Sequence, residues 1–263
     1  MKKVQQNYWY TVWILAKTDF KLRYNGSILG ILWVVLKPLF IFSILNFVFS
    51  QLFGGSKEYS LSLLTGLIIW NYFAEGTMVG MVSLLQKAHI ITKVNLPKWI
   101  VVFASTLNSL LTFLLNTLIL VFFFILYGVF PNIFSILTAV FFASLIFIWI
   151  LAFSFLTSPL FLRFRDLNQI WEVILNAGIY AAPIIYPITT IPEVYRTLLY
   201  INPVTLILVK IKDALFHGKE YFSFMDGVLL IASSWLYILL LVLVLVGSLL
   251  FFHRASRGAA EYV

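Results

Sequence analysis

Residues 19–40 read DFKLRYNGSILGILWVVLKPLF, and they pass from a basic, aromatic segment into a long apolar run. The basic part breaks at Asn25-Gly26-Ser27, a typical turn sequence. The apolar part is interrupted only by Lys37-Pro38. We interpret this pattern as a chain that enters a bilayer from a charged surface.

The composition of the whole chain indicates an integral membrane protein. Of its 263 residues 62% are hydrophobic and 11% are charged, and the mean hydropathy is +1.01. Soluble domains are closer to half apolar and a quarter charged. Strand-like alternation is absent, so helices are the expected way to satisfy the backbone in lipid. Cysteine is also absent, which rules out disulfides.

The first 24 residues predict an amphipathic helix in the membrane interface. Apolar and aromatic side chains recur through this segment among Lys17, Asp19, Lys21 and Arg23. No small-residue cleavage site follows a clean apolar core, so a cleaved signal peptide is not expected.

Six hydrophobic runs follow, each long enough for a helix that crosses about 30 Å of hydrocarbon. We expect an all-α integral membrane protein with an N-terminal interface helix and six transmembrane helices, forming a single transmembrane domain over residues 1–263. The predicted spans are Ile28–Phe53, Leu61–Leu85, Trp99–Tyr127, Ile133–Leu162, Ile170 to about Ile191, and Gly227–Phe252.

The positive charges predict the orientation of these spans. The net charge is +8, and most of the cations lie in short segments between hydrophobic runs, which argues against a nucleic-acid partner. With the N-terminus inside, twelve Lys and Arg fall on the inner side and five on the outer side. Cytoplasmic segments carry the excess of these residues. Both termini are therefore expected in the cytoplasm.

The outer segment 186–225 is expected to form two short helices between spans five and six. It contains Pro187, Pro192 and Pro203 and an apolar piece, Leu198–Val209, which is roughly half a span in length. Re-entrant helices that dip into the outer leaflet are one interpretation, and a segment lying wholly on the surface is the other.

Catalytic and cofactor motifs are missing from the sequence. It has no G-x-x-x-x-G-K-[ST], no H-E-x-x-H and no paired carboxylates suited to acid–base catalysis. We therefore expect no catalytic residue, no metal site and no cofactor in this chain. Glu75 and Glu172 fall within predicted spans. For Glu75 a functional role and a buried structural hydrogen bond both stay open, whereas Glu172 is expected to snorkel or to pair with Arg163 or Arg165.

Several features point to contacts with partners and substrate. The inner loop QKAHIITKVNLPKW, residues 86–99, mixes lysines with apolar residues, which favours either a solvated turn or a short helix that docks in a partner's groove. Aromatic rings with polar tips suit the faces of sugars. The aromatic residues in interrupted spans are candidates to face a glycan channel: Trp33, Phe40, Phe42, Trp70, Tyr72, Tyr180 and Tyr186.

The order of motifs resembles the polysaccharide-exporting ABC transporter permeases, which include the O-antigen and wall teichoic acid export permeases. Residues 23–39 resemble the family's R-Y-x-x-S-x-L-G-x-x-W-x-x-x-x-P-L opening. Arg163–Leu167 resembles its R-F-R-D-L segment, and Pro183–Tyr186 with Asn202-Pro203 resembles its outer P-I-x-Y and N-P elements. Lys37 departs from the pattern, because relatives commonly have an uncharged residue there.

This resemblance implies a homodimer that works with two copies of a separate ATPase subunit, which would bind ATP and Mg²⁺. The substrate implied is a glycan linked to lipid pyrophosphate, carried across the cytoplasmic membrane of a prokaryote. Spans one and five would line the channel, and the outer helices would gate it. The segment that docks on the ATPase would contain Gln86, Lys87, His89, Ile90, Lys93, Leu96, Pro97 and Lys98.

One further hypothesis concerns the lipid headgroup. Lys17, Lys21, Arg23 and Lys37 lie where a headgroup would enter, and cations there could hold its pyrophosphate. Anchoring to anionic membrane lipid is the alternative for the first three. An ABC permease for a drug or lipid is the competing function, followed by an ion-coupled secondary carrier, whereas a glycosyltransferase lacks the charged site that it would require.

Overall fold

The computed structural model describes residues 8–23, 25–94, 96–200, 202–217 and 234–256. These residues form ten α-helices and one 3₁₀ turn, at Ile188–Thr190, and contain no strand. The helices are α1 Tyr8–Arg23, α2 Leu32–Ser50, α3 Lys57–Gln86, α4 Ala88–Val94, α5 Lys98–Tyr127, α6 Ile133–Arg163, α7 Leu167–Ala181, α8 Glu193–Tyr200, α9 Pro203–His217 and α10 Ser234–Ala255.

Five of the described helices are long and apolar enough to cross a membrane: α2, α3, α5, α6 and α10. The predicted all-helical membrane fold is confirmed at this level, and spans one to four lie within a few residues of their expected bounds. The predicted start of the sixth span, Gly227, lies outside the described residues, and α10 is described from Ser234.

Helix α3 is the centre of the bundle. In its most apolar stretch of 18 residues, 67% is buried within the protein. In the corresponding stretches of the other four long helices the buried share is between 17% and 33%. It packs against α2, α5, α6, α7 and α9. Gly76 and Gly80, one turn apart, let α6 approach closely: a Cβ on Gly76 would lie 2.8 Å from Ile150, and one on Gly80 would overlap Ser154. Small residues spaced in this way are a common basis of helix contacts in membranes.

The fifth predicted span, Ile170 to about Ile191, is wrong in its second half. Helix α7 ends at Ala181, so it has 15 residues and a length of about 22 Å. The cause is Pro183, which disfavours helical backbone in the preceding residue. Ala182 is accordingly extended, with φ −87° and ψ 149°. The chain then turns before the 3₁₀ segment at Ile188–Thr190.

The outer segment contains the two expected short helices, α8 and α9, and residues 218–225 of the prediction lie outside the described part. Helix α9 packs against α6 and α3, and residues 204–209 are buried without interruption. Helix α8 is more exposed, with Val194 80% accessible. An entirely surface-lying segment therefore does not describe α9, which is part of the bundle.

Candidate functional site

Helix α1 is attached to the bundle through one face. Val12 and Ala16 are buried against Ile100 and Ala104 of α5. Asp19 and Arg23 continue this face, because the four residues at positions 12, 16, 19 and 23 are spaced by four, three and four positions. A repeat of this kind places all four residues on one side of a helix, so the apolar contact and the charged contacts are made by the same surface of α1.

Both charged residues on this face form ion pairs with the core helices. Asp19 pairs with Lys87, whose ammonium also lies 3.0 Å from the hydroxyl of Ser105. Arg23 pairs with Glu75 in the middle of α3. The hydroxyl of Thr112 in α5 donates to the same Glu75 oxygen at 3.2 Å. Glu75 therefore has structural partners, which favours the structural hydrogen-bonding role over a functional one.

The contacts made by the two ends of α1 show that this helix runs lengthwise along α5. Trp9 lies beside Phe103, with ring centroids 5.7 Å apart, whereas Arg23 reaches the level of Thr112, the fifteenth residue of α5. That position is about 21 Å along α5 from its first residue. Helix α1 therefore runs along α5 and reaches α3 at its last residue. Its exposed side chains are mainly apolar or aromatic, which suits contact with lipid: Trp9, Tyr10, Trp13, Ile14 and Leu22.

The four cations predicted to meet a lipid headgroup differ in whether they already have an ionic partner. Arg23 is held by Glu75, whereas Lys17 and Lys21 are exposed on α1. Lys37 is exposed on α2, on the same face as Trp33 and Phe40, which are 45% and 60% accessible. The structure therefore places Lys37 on an open face of a membrane-crossing helix, in the company of two aromatic rings.

The segment predicted to dock on an ATPase is fixed at both ends and exposed in the middle. Lys87 is bound by Asp19, and the ammonium of Lys98 donates to the backbone carbonyl of Ser256. Between them, α4 exposes His89 and Lys93. Gln86, which precedes the first anchor, is also exposed. Ile90, Leu96 and Pro97 are partly buried. The two lysines are thus anchors, and the surface offered to a partner lies between them.

Three of the seven candidate channel aromatics are buried in this chain. Phe42 packs edge-on against Phe123, Tyr72 stacks on Phe113 at 4.3 Å, and Trp70 is covered by α7 at Gly178. Their rings offer no face to a channel in this arrangement. The rings of Trp33, Phe40 and Tyr180 are exposed, and Tyr186 is partly buried, with its hydroxyl donating to the carbonyls of Tyr180 and Ala181 at 3.2 Å each.

Helix α7 carries an exposed polar stripe formed by Gln169, Glu172, Asn176 and Tyr180. Its opposite side is packed: the indole N–H of Trp171 donates to Thr77 at 3.0 Å, and Leu175 is buried. The four stripe residues are spaced by three, four and four positions, which is the repeat of one helix face. Sequence reasoning missed Gln169 and Asn176, although this spacing around Glu172 was the signal that could have found them.

The turn after α7 is tied to α9 and α3. The ammonium of Lys212 in α9 donates to the carbonyl oxygens of Pro183 at 2.8 Å and Ile184 at 3.3 Å. The hydroxyl of Tyr59 in α3 donates to the carbonyl of Ile185 at 2.8 Å. These donors satisfy carbonyl groups of the irregular turn that follows α7, where no helical hydrogen bonds are available. From the sequence, Lys212 was only one of the charges of the outer segment.

Comparison with known proteins places the chain among membrane transporters. Residues 10–216 match the family described as ABC-2 type transporter. The chain is similar to an O-antigen export system permease protein RfbA of Klebsiella pneumoniae, with 27% identity over 223 residues that cover 82% of this chain and 86% of that protein. A second Klebsiella pneumoniae protein of that name is 26% identical over 249 residues, covering 94% and 93%.

A third relative comes from a different organism. The O-antigen export system permease protein RfbA of Myxococcus xanthus is 26% identical over 197 residues, which cover 74% of this chain and 75% of that protein. The family match extends from α1 to α9, over most of the helices described above. It confirms the resemblance indicated by the sequence motifs, and the chain belongs to the ABC-2 type transporter family.

Proposed function

We propose that this chain is the transmembrane permease subunit of an ATP-driven exporter that moves a lipid-linked polysaccharide, of the O-antigen or wall teichoic acid type, across the cytoplasmic membrane. Two copies form the channel and two copies of a separate ATPase drive it. The names of the three relatives support the substrate class, and the open polar faces of the single chain support the channel.

The observation that carries this proposal is the polar stripe of α7. Polar and charged side chains in membrane helices face protein or a water-filled cavity, since exposure to hydrocarbon is costly. In the single chain Gln169, Glu172 and Asn176 are exposed. A second copy that encloses this face creates an aqueous path whose wall offers hydrogen-bonding groups to a hydrated glycan. We expect the exposed face of α2 around Lys37 to line the same aqueous path.

The proposed energy source is ATP hydrolysis in a separate subunit, because this sequence has no P-loop. The exposed His89 and Lys93 in the middle of the docking segment, residues 86–98, together with Gln86 at its start, form the surface on which that subunit acts. The anchors Lys87 and Lys98 fix the segment to the bundle, so a push on it is passed to the membrane helices rather than absorbed by a loose loop.

The ion pair between Arg23 and Glu75 narrows the choice of residues that would bind the lipid headgroup first. A pyrophosphate that binds Arg23 competes with Glu75 for the guanidinium, whereas Lys17, Lys21 and Lys37 have exposed ammonium groups that need no such exchange. We therefore assign first contact with the headgroup to the exposed lysines. Anchoring to anionic lipid stays the alternative role of Lys17 and Lys21.

The deciding experiment purifies the tagged chain from its own cell together with any ATPase subunit that associates with it. Lipid-linked glycan extracted from the same cell should stimulate ATP hydrolysis by the wild-type complex. Asn176→Leu, which removes a hydrogen-bonding group from the stripe, should lower this stimulation several-fold with the complex intact. Val173→Leu, one residue beside the stripe on the same helix, should behave as wild type.

Three results would contradict the proposal. Failure of any ATPase to copurify would remove the ATP-driven mechanism. Stimulation by a small amphiphile and none by the glycan would favour a permease for a smaller substrate. Equal stimulation of Asn176→Leu and wild type would show that the α7 stripe does not line the path.

A further inference from the structure

An apolar crevice lies between α5 and α6, near the hairpin that joins them. Its volume is about 530 Å³, and its walls come from α3, α5, α6 and α9. An apolar cavity of about 150 Å³ is already large enough to bind benzene, so this space accommodates a chain of many methylene groups. The lining along α5 extends from Leu110 to Ile125, a distance of about 22 Å.

The rim of the crevice faces the surroundings of the bundle. Leu114, Val121 and Ile125 on α5 are 52%, 49% and 62% accessible, and Val140 on α6 is 62% accessible. The floor is formed by buried residues of α3 and by Ile211 of α9. Because α5 and α6 are both long and apolar enough to cross a membrane, hydrocarbon is the expected medium outside this rim.

Among the described residues, the crevice offers no free hydrogen-bond donor to a polar occupant, and its few hydroxyl oxygens are its only side-chain acceptors. Its three hydroxyl-bearing residues are Thr65, Thr117 and Ser144, and each donates to a carbonyl of its own helix, at 2.8, 2.9 and 2.6 Å. Neither water nor a headgroup finds a free donor there among the described residues. The chemistry of the lining therefore selects a hydrocarbon chain.

A cation marks one end of the crevice. The exposed ammonium of Lys57 lies 3.5 Å from the carbonyl oxygen of Tyr127, the last residue of α5. Val129, Phe130 and Pro131, which follow after Gly128, line the crevice. A lysine at this position can attract the phosphate of a lipid whose chain lies between α5 and α6.

We propose that this crevice is a binding site for one phospholipid of the leaflet at the hairpin end, with an acyl chain between α5 and α6 and its phosphate at Lys57. The site is separate from the proposed glycan path, which is assigned to α2 and α7. It reaches α9 directly, because Ile211 and Leu215 belong to its lining and Phe124, another lining residue, stacks on Phe216 at 5.7 Å. Occupancy by lipid therefore supports the packing of α9.

The test measures lipid retained by the purified protein, using native mass spectrometry with added phosphatidylglycerol or phosphatidylcholine of identical acyl chains. Ala143→Phe fills the crevice and should weaken retention of both lipids at least about tenfold, since several methylene groups lose their burial. Val242→Phe adds the same ring on the exposed surface of α10 and should leave retention unchanged. Lys57→Gln should lower retention of phosphatidylglycerol to that of phosphatidylcholine.

A second measurement is the apparent Tm. Phosphatidylglycerol should raise it for wild type and Val242→Phe and not for Ala143→Phe, because a ligand that binds only the folded protein stabilises it. If Ala143→Phe does not fold, Val121→Phe on the opposite wall replaces it. Equal retention and an equal Tm shift in the filled variant would overturn the site, and unchanged selectivity in Lys57→Gln would overturn the role of Lys57. Disulfide cross-linking of Val140→Cys between two copies in native membranes would instead assign the crevice to the partner copy.

Discussion

The guanidinium of Arg23, the last residue of α1, contacts the carboxylate of Glu75 in the middle of α3. With Thr112 bound to the same oxygen, three helices meet at one carboxylate. The two charged side chains are 30% and 27% exposed, so protein encloses the pair only in part. Its contribution is therefore smaller than that of a fully buried ion pair.

Removing one partner of this pair should lower the stability of the protein. For Arg23→Gln we expect a loss of about 1–2 kcal/mol, below the roughly 3–5 kcal/mol of a fully buried pair, because protein encloses the remaining carboxylate only in part. The double variant Arg23→Gln/Glu75→Gln should be less destabilised than the sum of the two single variants. Thermal unfolding of the purified protein measures all three. Lys21→Gln, two residues earlier and exposed, is the control, and simple additivity would show that the pair does not couple.

The contact between α3 and α6 should be sensitive to one methyl group at Gly80. A Cβ there would overlap the hydroxyl of Ser154 and lie 2.5 Å from its Cβ, so Gly80→Ala should destabilise the protein by about 1–3 kcal/mol. Gly247→Ala places the same methyl group on α10, where nothing lies within 4 Å, and should be neutral or slightly stabilising. Adding Ser154→Gly should recover part of the loss. Thermal unfolding is again the measurement, and equal melting of the two alanine variants would contradict the close packing of these helices.

The orientation of the chain can be read directly, because the protein has no native cysteine. His89→Cys in α4 and Phe130→Cys in the α5–α6 hairpin both replace exposed side chains. A membrane-impermeant maleimide should label Phe130→Cys in intact spheroplasts and His89→Cys only after permeabilisation. The wild-type chain provides the unlabelled control. The reverse pattern would show that α4 faces the outside of the cell and the α5–α6 hairpin faces the cytoplasm.

Reversing an exposed charge on the docking segment should weaken association with the ATPase and leave the fold intact. Lys93→Glu changes the middle of the segment, which no described ion pair involves. We expect copurification of the ATPase to fall about tenfold, since a mismatched charge at an interface costs one or more kcal/mol. Lys57→Glu, at the opposite end of the bundle, is the matched control. Equal copurification of both variants would place the ATPase contact elsewhere.

Hydropathy was enough to locate the long helices, because a run of apolar residues has one stable arrangement in lipid. It failed at the end of α7, where Pro183 stops the helix within a run that remains apolar. The pairing of Arg23 with Glu75 could not be predicted, because it joins residues 52 positions apart and depends on the climb of α1 along α5. Aromatic residues showed the same limit: composition does not distinguish the exposed ring of Phe40 from the buried ring of Phe42.

The hydrogen bonds of Lys212 have a mechanical consequence. They join α9 to the turn at Pro183 and Ile184, and this turn is continuous with α7 and its polar stripe. A swing of α9 on its own would strip an ammonium group of two carbonyl partners inside the bundle, which is unfavourable. The lower-cost movement displaces α9 and the end of α7 as one rigid body, so we expect the polar stripe of α7 and helix α9 to move together.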